Sequence, residues 1–113
     1  MSARGEALLW TAQRVSAVVL AGCVAVHLVT IVYAVRGGLT AAEILARTRG
    51  STGWLAFYCL FAVAVAVHGP IGLRAVLREW AGWAGRSRDA VLVLLALFLA
   101  WAGVRAALSV FAA

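Results

Sequence analysis

His68 lies deep in an apolar segment and opens the string His68-Gly69-Pro70-Ile71-Gly72-Leu73-Arg74-Ala75-Val76-Leu77-Arg78-Glu79. An ionisable side chain inside a membrane span is costly, which makes it a candidate for function. Neutral imidazole offsets that cost by ligating a metal such as iron or zinc. At ~100° per residue, Gly72, Ala75 and Glu79 share a helix face with His68. Gly72 lacks a side chain one turn away, which lets a flat macrocycle ligated by His68 approach the backbone. Pro70 removes a backbone donor within the span and is expected to bend it there. The competing account is a histidine hydrogen-bonded to a carbonyl or hydroxyl of a neighbouring helix.

His27 is the second histidine. Ser16, Cys23, His27 and Thr30 fall within a ~60° sector of one helix, and a polar stripe of that kind faces either the bundle interior or a cofactor. A plain seam of interhelical hydrogen bonds is the alternative. Counting helix rise from Arg14 and Arg74, His27 lies ~20 Å and His68 ~9 Å from one membrane edge. Two axial ligands of one iron must share a level, so these histidines are poor partners for a single haem. They suit two haems, each completed by another chain, unless one of them is not a ligand. A four-ligand site from Cys23, Cys59, His27 and His68 is disfavoured, because Cys59 faces away from His68 and is ~13 Å higher.

Two arginines complete the candidate set. Arg14 starts the first span and suits either a snorkelling anchor or a partner for a propionate or a quinone carbonyl. Arg105, near the far surface, suits a snorkelling anchor first and a propionate partner second.

The elements that must position these residues follow from composition. The chain has 113 residues, 65% of them hydrophobic and 12% charged, with mean hydropathy +1.02. A soluble domain of this length cannot bury that much apolar side chain. The chain is therefore read as an all-α integral membrane protein, a single domain over residues 1–113. Three apolar segments, 15–35, 54–73 and 90–111, each match the ~20 residues that cross a bilayer. Thr40-Ala41-Ala42-Glu43 is a capping-box pattern, which predicts a short interfacial helix over about 41–47 between the first two spans. A three-helix bundle leaves no room for a soluble catalytic domain, so any water-facing active site is expected on another chain. No cleavable signal pattern is visible at the N-terminus.

Net charge is +6, carried by ten arginines and no lysine. The arginines sit at segment ends, as topology signals and anchors do, and no basic patch for nucleic acid forms. Six lie on the N-terminal side and second connection, against four on the other side. That bias predicts a cytoplasmic N-terminus and a C-terminus on the opposite side. Cys23 and Cys59 read as small buried apolar residues, with no disulfide framework.

Arg14-Val15-Ser16-Ala17 resembles the Arg-Val-Ser-Gly start of span one in the cytochrome b membrane-anchor subunits of succinate dehydrogenase and fumarate reductase. His68 to Arg74 resembles that family's His-x3-Gly-x-Arg haem motif, and Glu79 takes its closing acidic position. The resemblance covers the first two spans, and the third agrees in length and position. It implies that His68 is an axial ligand of haem b and that Arg14, beside Ser16, belongs to a quinone site. It also implies that Arg74 is an interfacial or propionate partner. His27 is similar to the first-span histidine of two-haem members. Gln13, Trp10 and Ala75 depart from the residues many members carry.

The resemblance further implies flavoprotein and iron–sulfur partner subunits, and a second membrane anchor (or, as an alternative, a homodimer). One or two haems b would be shared with a partner chain, and quinone would be the substrate. The setting would be the bacterial inner membrane. The expected role is a non-catalytic subunit passing electrons between the iron–sulfur subunit and the quinone pool, since no flavin or iron–sulfur motif is present. The rival readings are a haem-free structural anchor of another complex and a small proton-relay or transport subunit.

Overall fold

The computed structural model describes residues 1–113. It contains four helices: α1 Ala3–Arg36, α2 Ala41–Thr48, α3 Thr52–Ala81 and α4 Arg86–Ala112. Three of them, α1, α3 and α4, are long and apolar enough to cross a membrane. The short α2 lies between the first and second of these, as the capping pattern predicts.

Each boundary has a local cause. Ser2 caps α1, its hydroxyl accepting from the Gly5 amide at 3.1 Å, so the helix begins twelve residues before the apolar segment does. Hydropathy marks the part of a helix that suits lipid, whereas capping marks where the helix starts. At α2 both halves of the capping box form. The Thr40 amide donates to Glu43 Oε2 at 2.7 Å and the Glu43 amide donates to Thr40 Oγ1 at 3.2 Å. Helix α3 runs unbroken through Pro70 to Ala81 and stops at Gly82, which has φ 64°. That left-handed cap suits glycine because no Cβ collides with the backbone. The second connection therefore shrinks from the expected 74–89 to the few residues between α3 and α4.

Helix α3 is the central element and packs against both α1 and α4, which have little direct contact with each other. Its face toward α4 is built of small residues: Ala62, Ala66 and Pro70 are buried along it. In lipid the apolar drive between helices is weak, so close backbone approach through small side chains supplies the association. The tightest point is Gly103 of α4. A Cβ added there would lie 2.4 Å from Ala62 Cβ and 3.3 Å from Ala62 Cα.

The far end of α4 is tied to the turn after α2. Thr48 Oγ1 donates to the Val110 carbonyl at 3.2 Å and the Gly50 amide to the Phe111 carbonyl at 2.9 Å. Arg49 Nε donates to the Ala113 carbonyl. Carbonyls left over at a helix C-terminus need partners from outside the helix, and this turn provides them.

Two predictions follow from these contacts. Gly103→Ala should destabilise the folded chain in detergent by about 1–3 kcal/mol through overpacking. Adding Ala62→Gly should recover most of that loss, and additive losses in a double-mutant unfolding cycle would argue against this contact. Separately, the Thr40 backbone amide, then its hydroxyl, and more weakly Arg47, hold the Glu43 carboxyl below the usual carboxylate range. A depressed folded value means the box stabilises α2 above the ordinary carboxylate pKa and loosens as pH falls through the lower folded value. An acid NMR titration of the Thr40 amide should show that lowered midpoint; a midpoint at the ordinary glutamate value would mean the carboxyl is free.

Candidate functional site

His68 and Ser16 meet across the α1–α3 interface. Ser16 sits on the buried face of α1 and is 6% exposed. Its Oγ donates to the Gln13 carbonyl at 3.1 Å and lies 3.4 Å from His68 Nδ1. A hydroxyl has one proton. When that proton goes to the Gln13 carbonyl, Ser16 accepts from His68 Nδ1 and Nε2 keeps its lone pair; when it goes to Nδ1, the ring accepts instead, and the geometry serves either arrangement. The first is how metal-ligating histidines are oriented, through a hydrogen bond on the nitrogen that does not bind.

Gly72 lies one turn on, as the spacing predicts. A Cβ there would stand 3.2 Å from Gln13 Nε2. The notch left by the glycine is therefore next to the Gln13 amide, while Ala75 and Glu79 are exposed. Gln13 Oε1 is buried with no hydrogen-bond partner. The residues fit the iron of a planar group in two respects, an imidazole engaged by Ser16 through Nδ1 alone and a glycine one turn away, while the Gln13 amide stands against that glycine. No three His, Cys, Asp or Glu side chains converge to hold a bare metal ion, in line with the sequence argument against a Cys2His2 site.

Arg74 stands at the N-terminal end of the bundle, where α1 and α4 begin and α3 ends. Its Nη2 is 3.3 Å from Glu6 Oε1 of α1 and its Nε is 3.4 Å from Asp89 Oδ1 of α4. Arg88, 4% exposed, closes on the same Asp89 oxygen at 2.8 Å. This clasp joins all three long helices. Glu6, Arg88 and Asp89 were not singled out from the sequence. Their signal was scarcity: only four acidic residues face ten arginines, and two of the four sit at span starts.

The second histidine occupies a different place. His27 Nδ1 is 3.4 Å from the Tyr58 hydroxyl, and its ring meets Tyr58 and Phe61 edge-on at 5.8 and 5.6 Å. It lines a groove of about 740 Å³ shared by α1, α2 and α3, with Thr30, Arg47, Trp54 and Tyr58 around it. Thr30 Oγ1 donates to the His27 carbonyl at 2.7 Å. The face predicted for Ser16, Cys23, His27 and Thr30 does turn inward, with Ser16 and Cys23 buried and the other two half-buried.

The level difference between the histidines is larger than the ~11 Å expected. Antiparallel pairing sets Ser16 level with His68 and His27 level with Tyr58. Either helix then measures a separation of ~15 Å by its rise. The shorter expectation came from treating Arg14 and Arg74 as one plane, whereas α1 continues N-terminal of Arg14 to meet Arg74 through Glu6.

Arg14 and Arg105 stand outside both clusters. Arg14 is exposed, its guanidinium 5.4 Å from the Trp10 ring centroid. Arg105 is exposed at the opposite end, 5.4 Å over Trp101. Both pairs are cations over aromatic faces at helix positions suited to an interface.

Replacing Ser16 by alanine should remove the acceptor for the Nδ1 proton. Imidazole ¹⁵N spectra of the haem-free chain should then show His68 as a mixture of tautomers, and Ser16→Thr should restore one. An unchanged spectrum in Ser16→Ala would show that another group sets the tautomer.

No curated protein and no solved structure significantly matches the sequence. A family model described as succinate dehydrogenase/fumarate reductase transmembrane subunit matches residues 1–108. With three membrane-length helices and a match over nearly its whole length, the chain is an integral membrane protein that belongs to the succinate dehydrogenase/fumarate reductase transmembrane subunit family.

Proposed function

We propose that the chain anchors the flavoprotein and iron–sulfur subunits of a succinate:quinone oxidoreductase at the cytoplasmic face of a bacterial inner membrane. In that role it binds haem b and helps bind a quinone. The observation that carries this reading is the Ser16–His68 pair, in which Ser16 engages only Nδ1 and Gly72 follows one turn on along the same helix.

In this reading His68 holds the inner haem, and Gly72 admits its plane. When bound, the haem supplies a one-electron carrier between the iron–sulfur chain and the quinone pool. Ser16 holds the ligand proton on Nδ1 and keeps the ring turned. Arg74 is neutralised by Glu6 and Asp89, so its part is to fix the three helix ends around the site. Arg14, exposed near Trp10, would meet the quinone carbonyl in this reading.

His27, a level away, is the ligand for an outer haem, with Tyr58 as the partner of Nδ1. Arg105 anchors that end. Each haem would then need a further ligand from another chain, most simply a second anchor subunit; a twofold homodimer would pair like with like. One observation favours the haem-free alternative, namely that the Gln13 amide sits against the Gly72 notch.

A reduced-minus-oxidised spectrum of the purified complex decides between them. A b-type band is expected, and His68→Ala should abolish the inner-haem component. An intact complex without haem would sink the haem assignment. Arg14→Ala should lower quinone reduction tenfold or more with the haem spectrum unchanged, and full activity would remove Arg14 from the quinone site.

A further inference from the structure

Gln13 is half-buried and carries the one buried side-chain polar atom that has no hydrogen bond. Its backbone carbonyl accepts the Ser16 proton, but neither atom of its side-chain amide makes a hydrogen bond. The Oε1 atom is fully buried and unpaired. An unpaired buried amide is destabilising, whereas an apolar side chain of the same shape is not. The amide nitrogen, meanwhile, lies beside the space a side chain at residue 72 would fill. Gln13 thus occupies the notch next to His68 and receives nothing in return.

We propose that Gln13 is displaced from the space beside Gly72 when His68 takes a planar ligand, and that it thereby helps set which ligands the site accepts. A planar ligand taking the notch pushes the amide out. Moved out of the notch, the amide is free to pair with other polar groups, so the cost of its unpaired oxygen belongs to the haem-free form. Its relief on loading favours ligands large and flat enough to fill the notch, and smaller imidazole-binding ligands gain nothing from it. This inference rests on His68 being a haem ligand.

The test uses the full chain together with its co-purifying subunits, produced without haem and titrated with hemin. Gln13→Met keeps the volume and removes the polar atoms. Expected are a higher melting temperature of the haem-free form and about a tenfold weaker hemin affinity, the equivalent of ~1.4 kcal/mol. Gln13→Ala removes the occupant and serves if the methionine variant folds poorly. With nothing to displace, its hemin uptake should be several-fold faster than wild type in stopped-flow Soret traces.

Unchanged affinity in Gln13→Met, or unchanged uptake in Gln13→Ala, overturns the proposal while leaving His68 as ligand. Hemin binding that survives His68→Ala, or no binding by the wild type, overturns both readings together. Carbon monoxide or cyanide affinity for the loaded protein should not depend on Gln13; a parallel tenfold loss would assign the residue to the iron pocket and count against the notch.

Discussion

Three apolar helices in lipid have little to gain from burying more apolar surface against one another, so the bundle depends on how closely its backbones approach. Helix α3 meets that constraint on two sides by different means. Toward α4 it presents alanines, and Gly103 comes so near Ala62 that even a methyl group would collide. Toward α1 it presents His68 and Gly72, and the contact is polar. The central helix thus has a packed side that holds the fold and a polar side that can hold a ligand. Moving either seam by one residue would bury the wrong set.

The polar side obeys a proton count. Ser16 has one hydrogen to share between the Gln13 carbonyl of its own helix and His68 Nδ1, 52 residues away, so the choice of one partner sets the role left to the other. The same helix turn supplies the unpaired Gln13 amide. A group that meets the histidine and a group that stands against the glycine come from one turn of the same helix, three residues apart. Polar groups buried without partners persist where something other than stability maintains them.

Charge plays a different part at the N-terminal end. Arg74, Arg88, Glu6 and Asp89 balance to zero net charge and draw on all three long helices. The α1–α4 gap is bridged there through Arg74. At the opposite end the bridging is done by backbone carbonyls of α4 and the turn after α2. The bundle is therefore fastened at both ends by polar contacts and along its length by small residues, and the two histidine levels lie between the fastenings.

Composition and spacing alone established the membrane spans, the capping box of α2, the inward face of α1 and the place of Gly72 one turn from His68. All are short-range consequences of helix periodicity and of apolar surface that a small chain cannot hide. The pairing of Ser16 with His68, of His27 with Tyr58 and of Arg74 with Glu6 and Asp89 was decided only by tertiary structure. Each depends on the vertical register of antiparallel helices, which belongs to two segments at once. A sequence read one segment at a time has no ruler between segments. That is why the histidine levels came out about one turn too close, and why Gln13, unremarkable beside Arg14, emerged as a neighbour of the glycine notch only once α1 and α3 were set side by side.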